Sequence, residues 1–259
     1  MNIRRIWAVA TNVFREVIRD RLLYLIGIFA LVLILANFLL PDLAVGTEGK
    51  MLLDLGIAGI GVSGLIVAIF VGTGLVNREI EKRTVYVLNA KPLTPAEFII
   101  GKHLGLSAVI TVMVAAMMVI YLGVLSVNGV AYSAGSLSLA AVFLLLELIL
   151  ITAVAILFGV FTSTLLATVL TAAVYLMGHL SRDLVLLTQN TESPTIERLT
   201  HWTYLVLPDL SRLDLKNQAV YGLSTLPPPP ELLNNALYGL LYVVVLLAIA
   251  TVVYAQREF

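Results

Sequence analysis

Long apolar stretches with almost no charged side chains dominate this chain and constrain its fold more than any other feature. Of its 259 residues, 60% are hydrophobic and only 12% are charged, which is too apolar a mixture for a soluble globule. A helix of about 20 residues crosses a bilayer, and barrel strands would alternate instead. We therefore expect an all-α integral membrane protein with six transmembrane helices, at residues 22–40, 55–76, 104–127, 138–158, 164–180 and 236–255.

The fourth and fifth predicted spans come from one apolar tract, residues 138–180. This tract is too long for a single crossing of the bilayer. A glycine and a Thr-Ser-Thr cluster interrupt it between Gly159 and Thr164. Residues of these types favour a break between helices, so we expect the chain to turn there.

The positions of the Lys and Arg residues predict the orientation of the bundle. Most of the 16 cations fall in the segment before the first span and in the segment between the second and third spans. Because cytoplasmic loops carry the excess of Lys and Arg, we expect both termini in the cytoplasm and a multi-pass protein of the inner or plasma membrane. Residues 181–235 then form one large outer loop.

The N-terminal residues 1–21 show apolar side chains at helical spacing together with five arginines. This pattern predicts an amphipathic interfacial helix whose arginines face anionic lipid head groups. Such a helix either anchors the topology or acts as an elbow that moves with the first span, and the sequence leaves both roles open.

The predicted cytosolic segment, residues 77–103, is longer than a simple connection between two spans needs. Glu79 is spaced to pair with cations one turn later, so the second span should continue into the cytosol as a helix. Thr94 and Glu97 flank Pro95 in the pattern of a capping box that starts the next helix. A structured element with both charges and apolar residues suits docking of another protein, and the alternative is a helix that touches only lipid.

Several kinds of chemistry are missing from the sequence. The one Gly-Lys pair, Gly101-Lys102, is followed by His103 and lacks the first glycine of a P-loop, so we expect ATP hydrolysis on another chain. The chain has no cysteine, no zinc motif and no Ser/His/Asp spacing typical of a hydrolase. Its net charge of zero gives no general attraction to nucleic acid. We expect no catalytic residue, metal or cofactor in this chain.

Glu147 is the one ionisable residue well inside a predicted span. A charge at that depth costs several kcal/mol, and no Lys or Arg lies inside a span to pair with it. Glu147 is therefore expected either to be protonated and hydrogen-bonded between helices or to line a substrate path. The same two alternatives, packing or a translocation path, apply to a group of hydroxyl residues at the fifth span: Thr162, Ser163, Thr164, Thr168 and Thr171.

The outer loop contains several local patterns. Ser193-Pro194 predicts a helix start, and the apolar run 202–207 is suited to dipping into the membrane. Further on, Leu210, Leu213 and Leu215 alternate with charged residues, and 227–230 is predicted to be a stiff polyproline II spacer. The loop could gate an exit, dock an extracytoplasmic partner or cap the bundle.

The whole chain resembles an ABC-2 type ABC-transporter permease, and within that family it looks closest to permeases linked to multicopper-enzyme maturation. The most specific stretch begins with Glu79 and Glu81-Lys82-Arg83-Thr84, continues with Leu88 and Lys91-Pro92-Leu93-Thr94-Pro95, and ends with Gly101-Lys102. It is similar to the family's E-x-G-T … L-x-x-x-P-[IVL]-[ST]-R … G-K signature. Arg83 stands in place of the usual glycine and Pro95 in place of the usual arginine.

The resemblance implies a single ABC-2 (type V) transmembrane domain over residues 1–259. It implies a dimer with a second copy or a homologous permease, and two separate ABC ATPase subunits that carry ATP and Mg²⁺. The cytosolic segment would then be the coupling helix, with the candidate coupling residues Glu79, Glu81, Lys82, Arg83, Thr84, Lys91, Pro92, Thr94, Glu97 and Lys102. The implied function is an exporter permease. The alternative is an assembly factor that transmits force to an outer partner through residues 181–235.

Overall fold

The computed structural model describes residues 2–19, 22–43, 46–81, 93–188, 198, 204 and 206–256. Within these residues the fold is all helical, as predicted, and no strand occurs. The α-helices are α1 (Ile3–Arg19), α2 (Leu22–Leu43), α3 (Glu48–Glu81), α4 (Pro95–Val127), α5 (Ala134–Phe161), α6 (Thr164–Thr188), the short α7 (Lys216–Ala219) and α8 (Pro229–Gln256). Two 3-10 turns, Leu210–Arg212 and Leu223–Thr225, flank α7.

Five of the described helices, α2, α3, α4, α5 and α8, are long and apolar enough to cross a membrane. The apolar part of α6, Thr164–Leu180, is shorter than these five. The predicted break in the long apolar tract is confirmed, because α5 ends at Phe161 and α6 begins at Thr164. The bundle therefore contains a helix for each of the six predicted spans.

Two of the helices extend well beyond the apolar runs that predicted them. Helix α3 has 34 residues, about 50 Å of helix, against a hydrocarbon layer of about 30 Å. Its continuation to Glu81 confirms that the second span runs on past the predicted end at residue 76. Helix α8 begins at Pro229, so the predicted polyproline spacer over 227–230 is wrong for its second half. Pro229 and Pro230 lie in the first helical turn, which tolerates the missing N–H.

Helix α5 is the centre of the bundle and packs against α3, α4, α6 and α8. Two-thirds of its apolar window is buried by other helices, compared with 17% for α2 and for α8. The apolar faces of α2 and α8 therefore form much of the outer surface of this single chain. Because α5 packs against α3, α4, α6 and α8, a polar side chain on its buried face is surrounded by protein.

Helix α1 runs alongside the first half of α4. The prediction of an amphipathic helix is confirmed, and its apolar stripe of Ile6, Ala10, Val13 and Val17 is buried. The contact is close because a Cβ on Gly101 would lie 2.7 Å from Val9 and a Cβ on Gly105 would lie 2.7 Å from the carbonyl oxygen of Ala10. Two glycines four residues apart let two helix backbones approach, as small residues do in membrane helix pairs. Much of the apolar stripe of α1 therefore packs on protein.

Residues 207–226, hereafter the connecting segment, fold into the bundle between α6 and α8. Leu210, Leu213 and Leu215 are at most 3% exposed and belong to the main hydrophobic core. The Ser136 hydroxyl on α5 donates a 2.7 Å hydrogen bond to the carbonyl oxygen of Ala219. The apolar residues of the alternating stretch are thus buried in the core. Their burial places the charged residues of the stretch beside the bundle.

Candidate functional site

A group of four ionisable residues lies at the contact between the connecting segment and the two helices α5 and α6. The group, hereafter the ionic cluster, consists of Glu147, His179, Asp214 and Lys216. Lys216 Nζ lies 3.7 Å from Glu147 Oε2 and 3.5 Å from Asp214 Oδ2. His179 Nε2 lies 3.4 Å from Glu147 Oε1 and 3.7 Å from Asp214 Oδ2.

The ionic cluster corrects the expectation that Glu147 has no basic partner. The expectation considered only Lys and Arg inside the spans, whereas Lys216 comes from the connecting segment. The buried Leu213 and Leu215 hold the residues around them against the bundle. Glu147 itself is 1% exposed, so it lies inside protein and among charged groups. Neither carboxylate oxygen of Glu147 has a hydroxyl partner among the described residues, so the expected hydrogen bond of Glu147 is not found there.

The two charged residues of the connecting segment stabilise each other. Burial by itself would raise the pKa of Asp214, but the neighbouring His179 and the charge of Lys216 outweigh it and lower that pKa below its ordinary value. Burial by itself would lower the pKa of Lys216, but the carboxylates of Glu147 and Asp214 outweigh it and raise that pKa. Both residues are therefore charged at neutral pH.

The hydrogen-bond partners of His179 fix which of its ring nitrogens carries a proton. His179 Nδ1 lies 3.1 Å from the carbonyl oxygen of Tyr175, which can only accept, so Nδ1 carries a hydrogen. His179 Nε2 faces the carboxylates of Glu147 and Asp214 instead. A neutral ring would aim a lone pair at these negative charges, whereas a second proton on Nε2 would be attracted by both.

Three atoms of the ionic cluster have no hydrogen-bond partner among the described residues: both carboxylate oxygens of Glu147 and Nε2 of His179. Their separations of 3.4 to 3.7 Å from the neighbouring charged atoms exceed those of good hydrogen bonds. Buried polar atoms without hydrogen-bond partners are costly. Where a native structure keeps them, they call for an explanation, and a functional role is one. In the described part of the chain, the His, Asp and Glu residues form no group able to hold a metal ion.

A second polar junction lies at the start of α4, at the end of the predicted cytosolic segment. The predicted capping box is confirmed, with Thr94 Oγ1 accepting from the Glu97 N–H at 3.3 Å and Glu97 Oε2 accepting from the Thr94 N–H at 3.1 Å. Glu97 Oε1 also accepts a 2.6 Å hydrogen bond from the N–H of Asn2. Arg5 lies 3.7 Å from the same carboxylate. One buried side chain therefore starts α4 and ties α1 to it.

The other end of the predicted cytosolic segment is attached to a different pair of helices. The Asn77 amide on α3 donates a 2.5 Å hydrogen bond to the carbonyl oxygen of Thr162, in the turn between α5 and α6. Asn77 is 4% exposed, so this bond is shielded from water. Near the start of α4, Phe98 stacks on Tyr254 of α8 with ring centroids 5.2 Å apart. The ends of α1, α3, α4 and α8 and the α5–α6 turn are thus linked around this segment.

The structure describes only part of the predicted coupling set. Glu79 and Glu81 lie on α3, but their side chains are outside the described residues. Lys102 is 3% exposed and its ammonium lies 5.3 Å from the centre of the Phe98 ring, so it is buried beside the junction. The remaining coupling residues without a description are Lys82, Arg83, Thr84, Lys91 and Pro92. Their role in docking stays a prediction.

Three of the five candidate path hydroxyls, those of Thr162, Thr168 and Thr171, have hydrogen-bond partners within the bundle. Thr168 Oγ1 lies 3.1 Å from Thr73 Oγ1 on α3, and the Thr171 hydroxyl donates to the carbonyl oxygen of Ala167 at 2.7 Å. Thr162 ends α5, and its hydroxyl donates to the carbonyl oxygen of Phe158. Thr168 donates in turn to the carbonyl oxygen of Thr164. Ser163 lies in the α5–α6 turn. Their role in a translocation path stays a prediction.

Sequence reasoning missed three members of the ionic cluster. The sequence assigned His179 no role. The predicted helix start at Ser193-Pro194 and half of the run 202–207 lie outside the described residues. The available signal was the Leu213-Asp214-Leu215-Lys216 stretch, in which two charged residues alternate with two buried leucines. Nothing in the sequence indicated that this stretch meets Glu147.

The fold and the two polar junctions define a multi-pass membrane protein with a buried ionic cluster, the kind of architecture found in membrane transport components. The chain belongs to the family described as "ABC-2 family transporter protein", whose model matches residues 7–259. It is a membrane permease of an ABC transporter, and ABC-2 permeases generally work with an ABC ATPase partner. None of the curated proteins compared with the chain matches it.

Proposed function

We propose that this chain is the membrane subunit of an ABC exporter, and that a separate ABC ATPase binds at residues 77–103 and drives it. Two copies of the chain form the transmembrane part, and two ATPase subunits carry ATP and Mg²⁺ below them. The termini and residues 77–103 face the cytoplasm of a cell whose inner or plasma membrane holds the protein. The substrate leaves on the side of the connecting segment.

The attachment of both ends of residues 77–103 to different helices is the observation that supports this proposal most. Asn77 is bonded to the α5–α6 turn, and Glu97 is bonded to the start of α1. A protein that pulls on the segment therefore moves α3, α4 and α1 together and acts on the central helix α5. Buried, shielded hydrogen bonds transmit such a motion better than a flexible loop, because the linked elements shift as units.

The close α1–α4 contact supports the same role for α1. Gly101 and Gly105 bring the two backbones together, so α1 cannot slide independently of α4. Since α1 leads into α2, a displacement at the start of α4 is carried to the peripheral helix α2. Two roles were considered for the N-terminal helix, a topology anchor and an elbow that moves with the first span. The proposed motion corresponds to the elbow.

Co-purification and ATP hydrolysis test the proposal. The chain, tagged and purified in mild detergent from the membranes of its own source, should bring down a P-loop ATPase in a two-to-two complex. Alanine at Glu79, Glu81, Lys82 and Arg83 should leave the chain in the membrane but uncouple hydrolysis from transport. The matched control removes charges at the other end of the same helix, with alanine at Glu48 and Lys50. Purification without any ATPase, or unchanged coupling in the quadruple variant, would contradict the proposal.

A further inference from the structure

We propose that the ionic cluster is a proton-binding site, and that one bound proton holds the connecting segment closed against α5 and α6. The proposal concerns the contact of the connecting segment with α5 and α6, and it does not depend on which ATPase drives the protein. It rests on a count of the charges around the buried Glu147 and on the geometry of the imidazole ring of His179.

The charge count shows that the ionic cluster is balanced only with one extra proton. In their ionised forms Glu147 and Asp214 each bring a negative charge, and Lys216, which lies 3.7 Å from the first and 3.5 Å from the second, brings one positive charge. With a neutral His179 the cluster would carry a net negative charge inside the bundle, where Glu147 is 1% exposed. An unbalanced charge in such surroundings is expensive, whereas one added proton brings the total to zero.

The geometry of His179 gives that proton a place. Because Nδ1 is committed to the carbonyl oxygen of Tyr175, the open nitrogen is Nε2, which has no hydrogen-bond partner among the described residues. It lies 3.4 Å from Glu147 Oε1 and 3.7 Å from Asp214 Oδ2. A proton on Nε2 converts the contact from repulsion into two attractions, and no backbone movement is needed.

Other charged groups do not supply the balance in the described structure. Helix α6 contributes Tyr175 beside His179, with ring centroids 4.6 Å apart. Helix α3 faces Lys216 with Gly61, which has no side chain to titrate. Helix α5 contributes Glu147, and the connecting segment contributes Asp214 and Lys216. The side chains of residues 181–188 at the end of α6 lie outside the described part of the chain.

The proton also explains why the contact can open. Glu147 and His179 belong to the helices, while Asp214 and Lys216 belong to the connecting segment, so the ionic cluster spans the contact between them. Once the segment moves away, water solvates each group and the extra proton is no longer required above the ordinary pKa of an imidazole, about 6.5. Opening therefore releases one proton, and raising the pH above that value favours the open state by up to about tenfold per pH unit.

The absence of cysteine in the chain permits a direct measurement of opening. A cysteine replacing Ala219, which is 1% exposed, should react with a membrane-impermeant maleimide only when the connecting segment opens. A cysteine replacing the nearby Leu223, which is 60% exposed, is the matched control for the ordinary ionisation of a thiol. We expect the rate at position 219 divided by the rate at position 223 to rise with pH above about 6.5, by up to about tenfold per unit.

Two variants in the Ala219→Cys background should respond in opposite directions. Glu147→Gln leaves one carboxylate and one ammonium, which balance without an added proton, so the ratio should stay low and lose its pH dependence. Lys216→Met leaves two carboxylates that need two protons, so the ratio should already be high at neutral pH and fall only in acid.

A wild-type ratio that does not change with pH would overturn the proposal. A Glu147→Gln protein that keeps the wild-type slope would also overturn it, because the extra proton would then not depend on Glu147. A Glu147→Gln protein that reacts fast at every pH would overturn it as well, because a merely structural contact would be loosened by Glu147→Gln and by Lys216→Met alike. Should Lys216→Met fail to fold, the wild-type and Glu147→Gln measurements decide between these outcomes on their own.

Discussion

Lys216 Nζ lies 3.7 Å from Glu147 Oε2, so a residue of the connecting segment reaches the middle of the central helix. Glu147 is the fourteenth residue of α5, about 20 Å along the helix from Ala134. The connecting segment therefore penetrates deep between the helices instead of capping their ends. The pair links two parts of the molecule. One is the connecting segment, and the other is α5, the most completely buried helix of the bundle.

Replacing Lys216 and replacing Glu147 should have unequal effects on the free energy of unfolding. Lys216→Met leaves Glu147 and Asp214 buried without the ammonium, and we expect a loss of about 3–5 kcal/mol at neutral pH, the usual cost of removing one partner of a buried pair. Glu147→Gln should cost less, because Lys216 still has a carboxylate partner in Asp214, 3.5 Å away. Unfolding of the purified protein in detergent micelles, followed by circular dichroism, measures both.

Lys50→Met provides the control for loss of a lysine, since Lys50 is exposed and its ammonium contacts the exposed surface residue Tyr221. We expect this control to change the free energy of unfolding by about 0.5 kcal/mol or less. Equal losses for Lys216→Met and Lys50→Met would contradict the view that the buried pair anchors the connecting segment.

The two glycines between α1 and α4 should be intolerant of even one methyl group. A Cβ at position 105 would lie 2.7 Å from the carbonyl oxygen of Ala10, a backbone atom that cannot rotate away. We expect Gly105→Ala to cost about 1–3 kcal/mol, the usual range for overpacking, and to displace α1. Reaction of a cysteine at Ala10, which is 7% exposed in the wild-type protein, reports the displacement.

Gly123→Ala on the same helix is the matched control, because a Cβ there meets nothing within 4 Å. Alanine is the better helix former by about 0.5–1 kcal/mol, so this variant should be neutral or slightly more stable. If the two alanine variants behaved alike, the close contact between α1 and α4 would not be part of the native structure.

The carboxylate of Glu97 should matter more for its hydrogen bonds than for its charge. Glu97 accepts from the Thr94 N–H with Oε2 and from the Asn2 N–H with Oε1, so Glu97→Gln keeps only one of the two bonds and should lose less stability than Glu97→Ala. Glu97→Ala removes both bonds and should cost about 1–2 kcal/mol. ATP hydrolysis and transport by the reconstituted complex, measured together, should separate under Glu97→Ala and separate less under Glu97→Gln.

Asn77 offers a similar test at the other end of residues 77–103. Asn77→Ala removes the buried bond to the carbonyl oxygen of Thr162 and should cost about 1–3 kcal/mol. Asn128→Ala removes an exposed bond of the same chemical type within its own helical turn, to the carbonyl oxygen of Val124. We expect Asn128→Ala to leave coupling unchanged and Asn77→Ala to reduce it. Equal effects would mean that the α3 contact with the α5–α6 turn carries no motion.

The predictable part of this fold was the part governed by local hydrophobicity. Uncharged runs identified each long helix, and the Thr94–Glu97 pattern identified the start of α4, because hydrophobic length and capping depend on neighbouring residues. The boundaries of α3 extended further than the apolar run, since a helix continues past the membrane wherever its backbone can remain hydrogen-bonded.

The ionic cluster could not be predicted in the same way. Its members come from three separate elements, and only the packing of Leu213 and Leu215 into the core decides that Lys216 meets Glu147. A pattern within one stretch identifies which side chains are buried, but it does not identify the partner on which they pack. The depth of Glu147 was visible in the sequence, whereas the origin of its partner was not.

The most direct measurement of the central claim is crosslinking between residues 77–103 and the motor subunit. A single cysteine replacing Thr84, in this naturally cysteine-free chain, carries a photoactivatable crosslinker in isolated membranes, and a cysteine replacing Leu223 serves as the control. The account predicts that position 84 is joined to a P-loop ATPase, that ATP changes the yield, and that position 223 gives no such product. Crosslinks from position 84 to lipid alone, or an ATPase captured equally from both positions, would contradict it.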